Sequence, residues 1–391
     1  MKFVYYFVAL ASMLLFIFVA WLAALGRTAL INPFGLIKVL IASAALAVGA
    51  LLMHRLSARI ERASTKRFSL VAHPATWILS FVCLILAFAL IGKVAQRVTE
   101  PSMHGDWALG LYKSSGANPD AFVPLGDQPI LTADHITDIP CSFVADPSLV
   151  RTDDGFVLFY EAWNTRTGHG DICLSTSKDG SIWTYGGRVL DEPCSLSYPT
   201  VFKFEGTWYM IPETRALDSI RLYRAIRFPT RWVFEQTLLD GAPYRDTNIV
   251  QYDGHWYLFT LPGANLGLEV FHADSPFGPW EPHALNPVVS NDPDHARGGG
   301  SILSHAGRLL RFAQDVSPYY GNRVWLMEVT ELSPTAFSQA PLLPEPVLVG
   351  HKEWNTMGMH TLSCVQLDSG GWLAVVDGYG RLINTRSLWR D

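Results

Sequence analysis

Between residues 145 and 377 the chain repeats one pattern of polar and apolar positions. Residues 198–214 read YPTVFKFEGTWYMIPET: a polar opening, a short apolar run, a tight turn, then a second, aromatic-rich run. Residues 145–161 (ADPSLVRTDDGFVLFYE), 245–260 (RDTNIVQYDGHWYLFT) and 299–315 (GGSILSHAGRLLRFAQD) follow the same plan, and 360–377 (HTLSCVQLDSGGWLAVVD) is a divergent fifth copy. The turns fall at Asp154-Gly155, Glu205-Gly206, Asp253-Gly254, Ala306-Gly307 and Gly370-Gly371. Two strand-like runs joined by such a dipeptide form a β-hairpin signal. Asp146, Tyr198, Asp246 and Gly299 hold equivalent positions, about 50 residues apart, with room for about four strands per unit. That period predicts an all-β fold, a five-bladed β-propeller over residues 141–391.

Turn-rich segments ending on an aromatic mark the outer strands: SKDGSIW (177–183), FPTRW (228–232), SPFGPW (275–280) and SPTAF (333–337). Trp208, Trp256 and Trp372 follow the hairpin turns and read as inter-blade core rather than ligand platforms. Too little chain follows Gly378 to complete a fifth blade. An open ring would leave an unpaired sheet edge. Residues 98–140, a short stalk followed by the strand-like stretches 106–112 and 122–136, are therefore expected to close the ring beside the strand of Trp372. No helix of consequence is expected in this part of the chain.

The first 97 residues are different. Residues 3–25, 34–53 and 77–95 are almost uncharged apolar runs, each close to the roughly 20 residues of a bilayer-spanning helix. Three transmembrane α-helices, a membrane anchor, are the expectation; a cleaved leader is the alternative for the first run. The loop between the second and third runs carries Arg55, Arg59, Arg62, Lys66 and Arg67, whereas the first loop carries Arg27. Positive charge stays inside, which puts the N-terminus in the cytoplasm and the propeller on the periplasmic or other extracytoplasmic side of an integral membrane protein.

These spans account for the apolar bias of a chain of 391 residues that is 49% hydrophobic and 17% charged. The net charge of −5, with no basic tract beyond the membrane loop, argues against nucleic acid as a partner. Cys83 lies in a span; Cys141, Cys173, Cys194 and Cys364 lie in the repeats. Cys141 and Cys194 hold comparable positions before neighbouring inner strands, so a disulfide between them and buried free thiols are both open. Nothing in the cysteine and histidine spacing forms a metal-binding motif.

In a propeller the first strand of each blade lines the channel, and the second returns beside its start. Asp146, Tyr198, Asp246, Arg297 and His360 should therefore meet Glu161, Glu213, Asp315 and Asp377 at one mouth, with Trp163 or Tyr320 nearer the rim. Carboxylates accept hydroxyl hydrogen bonds, aromatic faces stack on sugar CH groups, and paired acids can break a glycosidic bond. Taken singly, each Asp also suits a turn or cap, and Arg297 could serve only to neutralise its acidic neighbours. Gly298-Gly299-Gly300 lacks the lysine of a phosphate loop and reads as a close backbone approach.

ADPSLV, RDTNIV and ADSPFGPW resemble the blade starts and outer turn of the family 43 glycoside hydrolases. SYPTVFKFEGTWYMIPET and YRDTNIVQYDGHWYLF are more similar still to the N-terminal domain of glucosamine inositolphosphorylceramide transferases, a resemblance running from about residue 107 to the C-terminus. It implies a catalytic base at Asp146 and a residue that tunes pKa at Asp246. The acid expected near the start of blade four is missing, since HARGGG stands there; Glu213 is the nearest substitute, and Arg297 could instead take an anionic group. Calcium at the channel centre, through His360, is the one cofactor the resemblance raises. The expected function is a membrane-anchored carbohydrate-active protein working on a cell-envelope glycan or glycolipid, by hydrolysis or glycosyl transfer. The alternative is a non-catalytic glycan-binding propeller serving polysaccharide assembly or export. A purely structural partner-binding propeller would show an apolar rim instead.

Overall fold

The computed structural model describes residues 107–263 and 267–380. The three expected spans, the basic loop, Cys83 and the stalk lie outside the described residues. Among the described residues no helix is long and apolar enough to cross a membrane; helical structure is confined to two single 3₁₀ turns, Ala133–His135 and Arg215–Leu217.

The strands group into five antiparallel blades, three of them separate four-stranded sheets and the last two joined into one nine-stranded sheet by a parallel bridge, Gly300–Leu362. The chain enters through β1 (Ala108–Ser114) and β2 (Val123–Pro124). Blade one is β3 (Cys141–Thr152), β4 (Gly155–Asn164), β5 (His169–Ser177) and β6 (Thr184–Leu190). Blade two is β7 (Ser197–Phe204), β8 (Thr207–Glu213), β9 (Ser219–Arg227) and β10 (Arg231–Asp240). Blade three is β11 (Tyr244–Tyr252), β12 (His255–Pro262), β13 (Glu269–Ala273) and β14 (Glu281–Pro282). Blade four is β15 (Arg297–His305), β16 (Arg308–Asp315), β17 (Arg323–Leu332) and β18 (Phe337–Pro341), with β19 (Leu348–Val349) on the other part of β17. Blade five joins β20 (Leu362–Gln366) and β21 (Trp372–Gly378) to β1 and β2. The first strands lie side by side in a ring, β3 against β7, β7 against β11, β11 against β15, β15 against β20 and β20 against β3.

The ring closes as expected: β1 pairs antiparallel with β21 from Ala108–Gly378 to Ser114–Trp372. Each seam between blades has its own apolar cluster. This is why a second strand such as β4 is buried almost throughout, while the outer β6 alternates exposed and half-buried; a middle strand is covered on both faces. Trp256 packs on Phe202 and Phe204 across the seam from blade two, and Trp372 meets His305 of blade four.

The cysteines resolve to thiols. None of Cys141, Cys173, Cys194 and Cys364 is in a disulfide, which corrects the pairing raised for Cys141 and Cys194. The Cys141 thiol donates to the Phe143 carbonyl and packs in the seam between blades five and one, whereas Cys194 packs in the seam between blades one and two. All four should alkylate on denaturation without reductant. A protected pair in the mass spectrum would contradict the structure.

Candidate active site at the channel mouth

The site begins with a local irregularity repeated around the ring. The ladder slips between Ala145 and Ser148, between Ser197 and Thr200, between Arg245 and Asn248, and between Gly298 and Ile302. Asp146, Tyr198 and Asp246 sit in these bulges with left-handed backbone, φ 55°, 43° and 48°. A bulge re-aims a side chain; here it falls near the start of β7, β11 and β15 and a few residues into β3. Blade four needs glycine instead: a Cβ on Gly300 (φ +132°) would come within 1.8 Å of the Leu362 carbonyl oxygen.

Two linked groups result. In the first, Asp377 of β21 is fully buried and accepts four hydrogen bonds. They come from the backbone N–H of Asp146 (2.9 Å), His360 (3.1 Å) and Thr361 (2.8 Å), and from His360 Nδ1 (2.7 Å). His360 Nε2 then faces Asp146 Oδ1 at 3.4 Å. The Asp146 carboxylate also accepts from Thr361 Oγ1 and from the Tyr198 N–H, both at 3.2 Å. Burial raises the Asp146 pKa to about 6, with His360 opposing and Asp377 and Asp246 reinforcing. Glu161 is held well above the usual carboxylate range by burial, by the charges of Asp146 and Glu213, and by a hydrogen bond to Asp146. The His360 pKa is raised: burial opposes the charged ring, but Asp377 and Asp146 outweigh it.

In the second group Glu213, ending β8, accepts the Asp246 N–H at 3.2 Å and lies 3.4 Å from Arg215 Nε. Arg297 Nε sits 2.5 Å from Asp246 Oδ2, and its guanidinium lies 4.8 Å from the centre of the Tyr320 ring. Burial and the Asp246 charge lift Glu213 to about 7 against the pull of Arg297 and Arg215. The Tyr198 hydroxyl bridges the ring, donating to the Gly300 carbonyl (2.9 Å) and accepting from the Gly300 N–H (2.7 Å) and from Asn248 Nδ2 (2.9 Å). The residues whose convergence depended on the repeat alignment thus share one network.

Asp315 is used differently. Its carboxylate bonds Arg323 Nε (2.6 Å) and the Ser317 N–H (2.8 Å), both within blade four. An aromatic cap covers the mouth. Trp107 lies tilted against His360 (4.1 Å between ring centres, 30° between planes) and Tyr379 (4.5 Å, 45°), Tyr320 edges Trp107, and Trp163 stacks on Phe143. Trp107 and Thr361 carried no signal in the sequence: Trp107 precedes the repeats, and Thr361 is an ordinary strand residue. Glycine runs were a better guide, since Gly298 lies against the Asp246 carbonyl and the Tyr198 hydroxyl.

Asp146, His360 and Asp377 place one potential ligand atom each within 4.8 Å of one another. They do not suit calcium, which takes six to eight oxygen ligands. Both Asp377 oxygens already accept two bonds each, and the imidazole offers nitrogen.

Fold and mouth define a five-bladed β-propeller with a cluster of buried acids at one end of its channel. The chain belongs to the family described as glucosamine inositolphosphorylceramide transferase 1, N-terminal, whose model matches residues 103–379. Glucosamine inositolphosphorylceramide transferase 1 of Oryza sativa subsp. japonica is 39% identical over 71% of this chain and 40% of its own length. The protein of the same name from Arabidopsis thaliana is 31% identical over 70% of this chain and 39% of its own. The chain thus spans about 40% of the length of the curated relatives it matches. Among solved structures, a thermostable family-43 glycoside hydrolase aligns with a TM-score of 0.48 at 14% identity, over 62% of this chain and 95% of that one.

Proposed function

We propose that this chain acts on a glycan or glycolipid at the channel mouth, with Glu213 as proton donor, Asp146 as base or nucleophile and Asp246 as a tuning and sugar-binding group. One observation carries the reading. Acidic side chains from three blades meet at one mouth, and their surroundings differentiate them. Burial raises Glu213 to about 7, with Asp246 reinforcing, and Asp146 to about 6; carboxyls raised toward neutrality suit proton transfer near neutral pH. Asp246 is held in an ion pair by Arg297. Tyr198, Arg297 and His360 shape the site, with Trp163 and Tyr320 at its wall and Glu161 sharing a proton with Asp146. The relatives' name joins glucosamine, inositolphosphorylceramide and transfer, which supports a glycolipid as substrate. The test is turnover of sugar-bearing sphingolipids and envelope glycans by wild type and by Glu213→Gln.

A second reading is glycan binding without turnover. It draws on blade four, where Arg297 and three glycines stand in place of an acid. Wild-type protein that retains a glycan unaltered would decide for it. In either case the chain is proposed to be membrane-anchored by three spans, with the propeller outside. A C-terminal reporter should then be active only in the extracytoplasmic compartment, and activity in the cytoplasm would overturn that orientation.

A further inference from the structure

The seams between blades two and three and between blades one and two are built on one plan and filled differently. Hairpin register makes Thr152, Phe204 and Tyr252 equivalent, as it does Val150, Phe202 and Val250, and likewise Phe156, Trp208 and Trp256. In the seam between blades two and three, Trp256 is closed over by Phe202 and Phe204 and is 7% exposed. In the preceding seam the two phenylalanine positions hold Val150 and Thr152. Trp208 is left half-buried on the wall of a cleft of about 690 Å³, backed by Phe228 (ring centres 4.5 Å apart, 17° between planes). That volume lies within the roughly 300–1,000 Å³ of small-ligand sites.

The rim is polar and uncommitted. Asp153 and Asp154 are exposed and make no ion pair among the described residues, and Lys203 reaches only the Trp208 ring, 5.5 Å away. Arg151, at the other side, is tied to blade five through Asp368 and the Gln366 carbonyl. Thr152 lies six positions beyond Asp146 along β3, up to about 20 Å at roughly 3.3 Å per residue, so the cleft opens at the hairpin end of the inner strands, away from the acidic mouth.

We infer that this cleft is a second, non-catalytic carbohydrate site, taking a neutral oligosaccharide. Pyranose CH groups stack on Trp208 once the flexible Lys203 swings aside. Asp153 and Asp154 accept hydroxyl hydrogen bonds, and the Lys203 ammonium donates one. The rim holds both signs of charge, which favours a neutral sugar over an anionic one. Such a site would hold a long glycan across the propeller while its end is engaged elsewhere, and it does not depend on turnover at the mouth.

The test uses the full chain and neutral gluco-, manno- and galacto-configured tetrasaccharides as probes, followed by tryptophan fluorescence and saturation-transfer NMR. At least one probe should give saturable binding. Thr152→Phe, which installs the residue that closes the next seam, should weaken it about tenfold or more by removing the stacking face. Asp153→Asn with Asp154→Asn, both on the exposed turn, should weaken it without altering the fold. Because Thr152, Asp153 and Asp154 lie at the hairpin end of β3, loss of binding in these variants separates this site from the mouth. No saturable binding by any probe, or equal binding by Thr152→Phe with its thermal midpoint preserved, overturns the proposal.

Discussion

Replacing Asp146 by asparagine should lower turnover of the glycan substrate by about two to four orders of magnitude, the usual worth of a positioned acid or base, while the ring stays folded. Asparagine keeps the shape and still accepts the Tyr198 N–H, so circular dichroism and the thermal midpoint should move little. Glu213→Gln should cost about as much, because the amide has no proton to give. The pH profile provides an independent check. Asp146 must be ionised, so the rate should fall below about pH 6; Glu213 must be protonated, so it should fall above about pH 7. Asp146→Asn should erase the acid limb. Full activity in either variant would remove that residue from the chemistry.

The largest effect on stability is expected at Asp377. Alanine there would strand three buried backbone N–H groups and the Nδ1 of His360, and breaking such a buried charged network costs about 3–5 kcal/mol. Urea unfolding should show it as a lower midpoint at unchanged slope. The conservative Asp377→Asn should fall between alanine and wild type, since the amide keeps one acceptor oxygen. The raised carboxyls act on stability in the opposite sense from ordinary salt-bridged acids. Glu213, lifted from 4.5 to about 7, contributes stability fully below about pH 4.5 and loses it as pH rises through 7. Glu213→Gln should therefore flatten the decline in stability between those values.

Blade number and ring closure were legible because hairpin dipeptides and apolar runs are local signals repeated five times. The channel positions followed from that register, and Asp146, Glu213, Asp246, Arg297 and His360 do meet. The alignment of Asp315 was one residue out. The ladder sets Gln314 opposite Arg297 as it sets Glu161 opposite Ala145 and Glu213 opposite Ser197, so Asp315 faces the other way and an arginine on the adjacent β17 claims it. Cys141 and Cys194 looked alike by spacing but pack in different seams, and spacing carries no direction for a side chain. Trp107 was hidden because it lies before the first repeat and reaches the site only through the closing strand.

That closing strand also governs how the chain becomes a protein during synthesis. Leu111 pairs with Val375, so β1 leaves the ribosome on the order of tens of seconds before its partner at roughly 5–20 residues per second. Until then it is an apolar strand whose β21-facing edge is bare, its other edge meeting only β2 and the Leu131 bridge. The early blades can assemble as they emerge, but the last contact is among the most distant in sequence and closes a loop of nearly the whole ring, which makes it slow. Nascent chains stalled or truncated before β21 should therefore be the species that chaperones hold and that self-associate through β1.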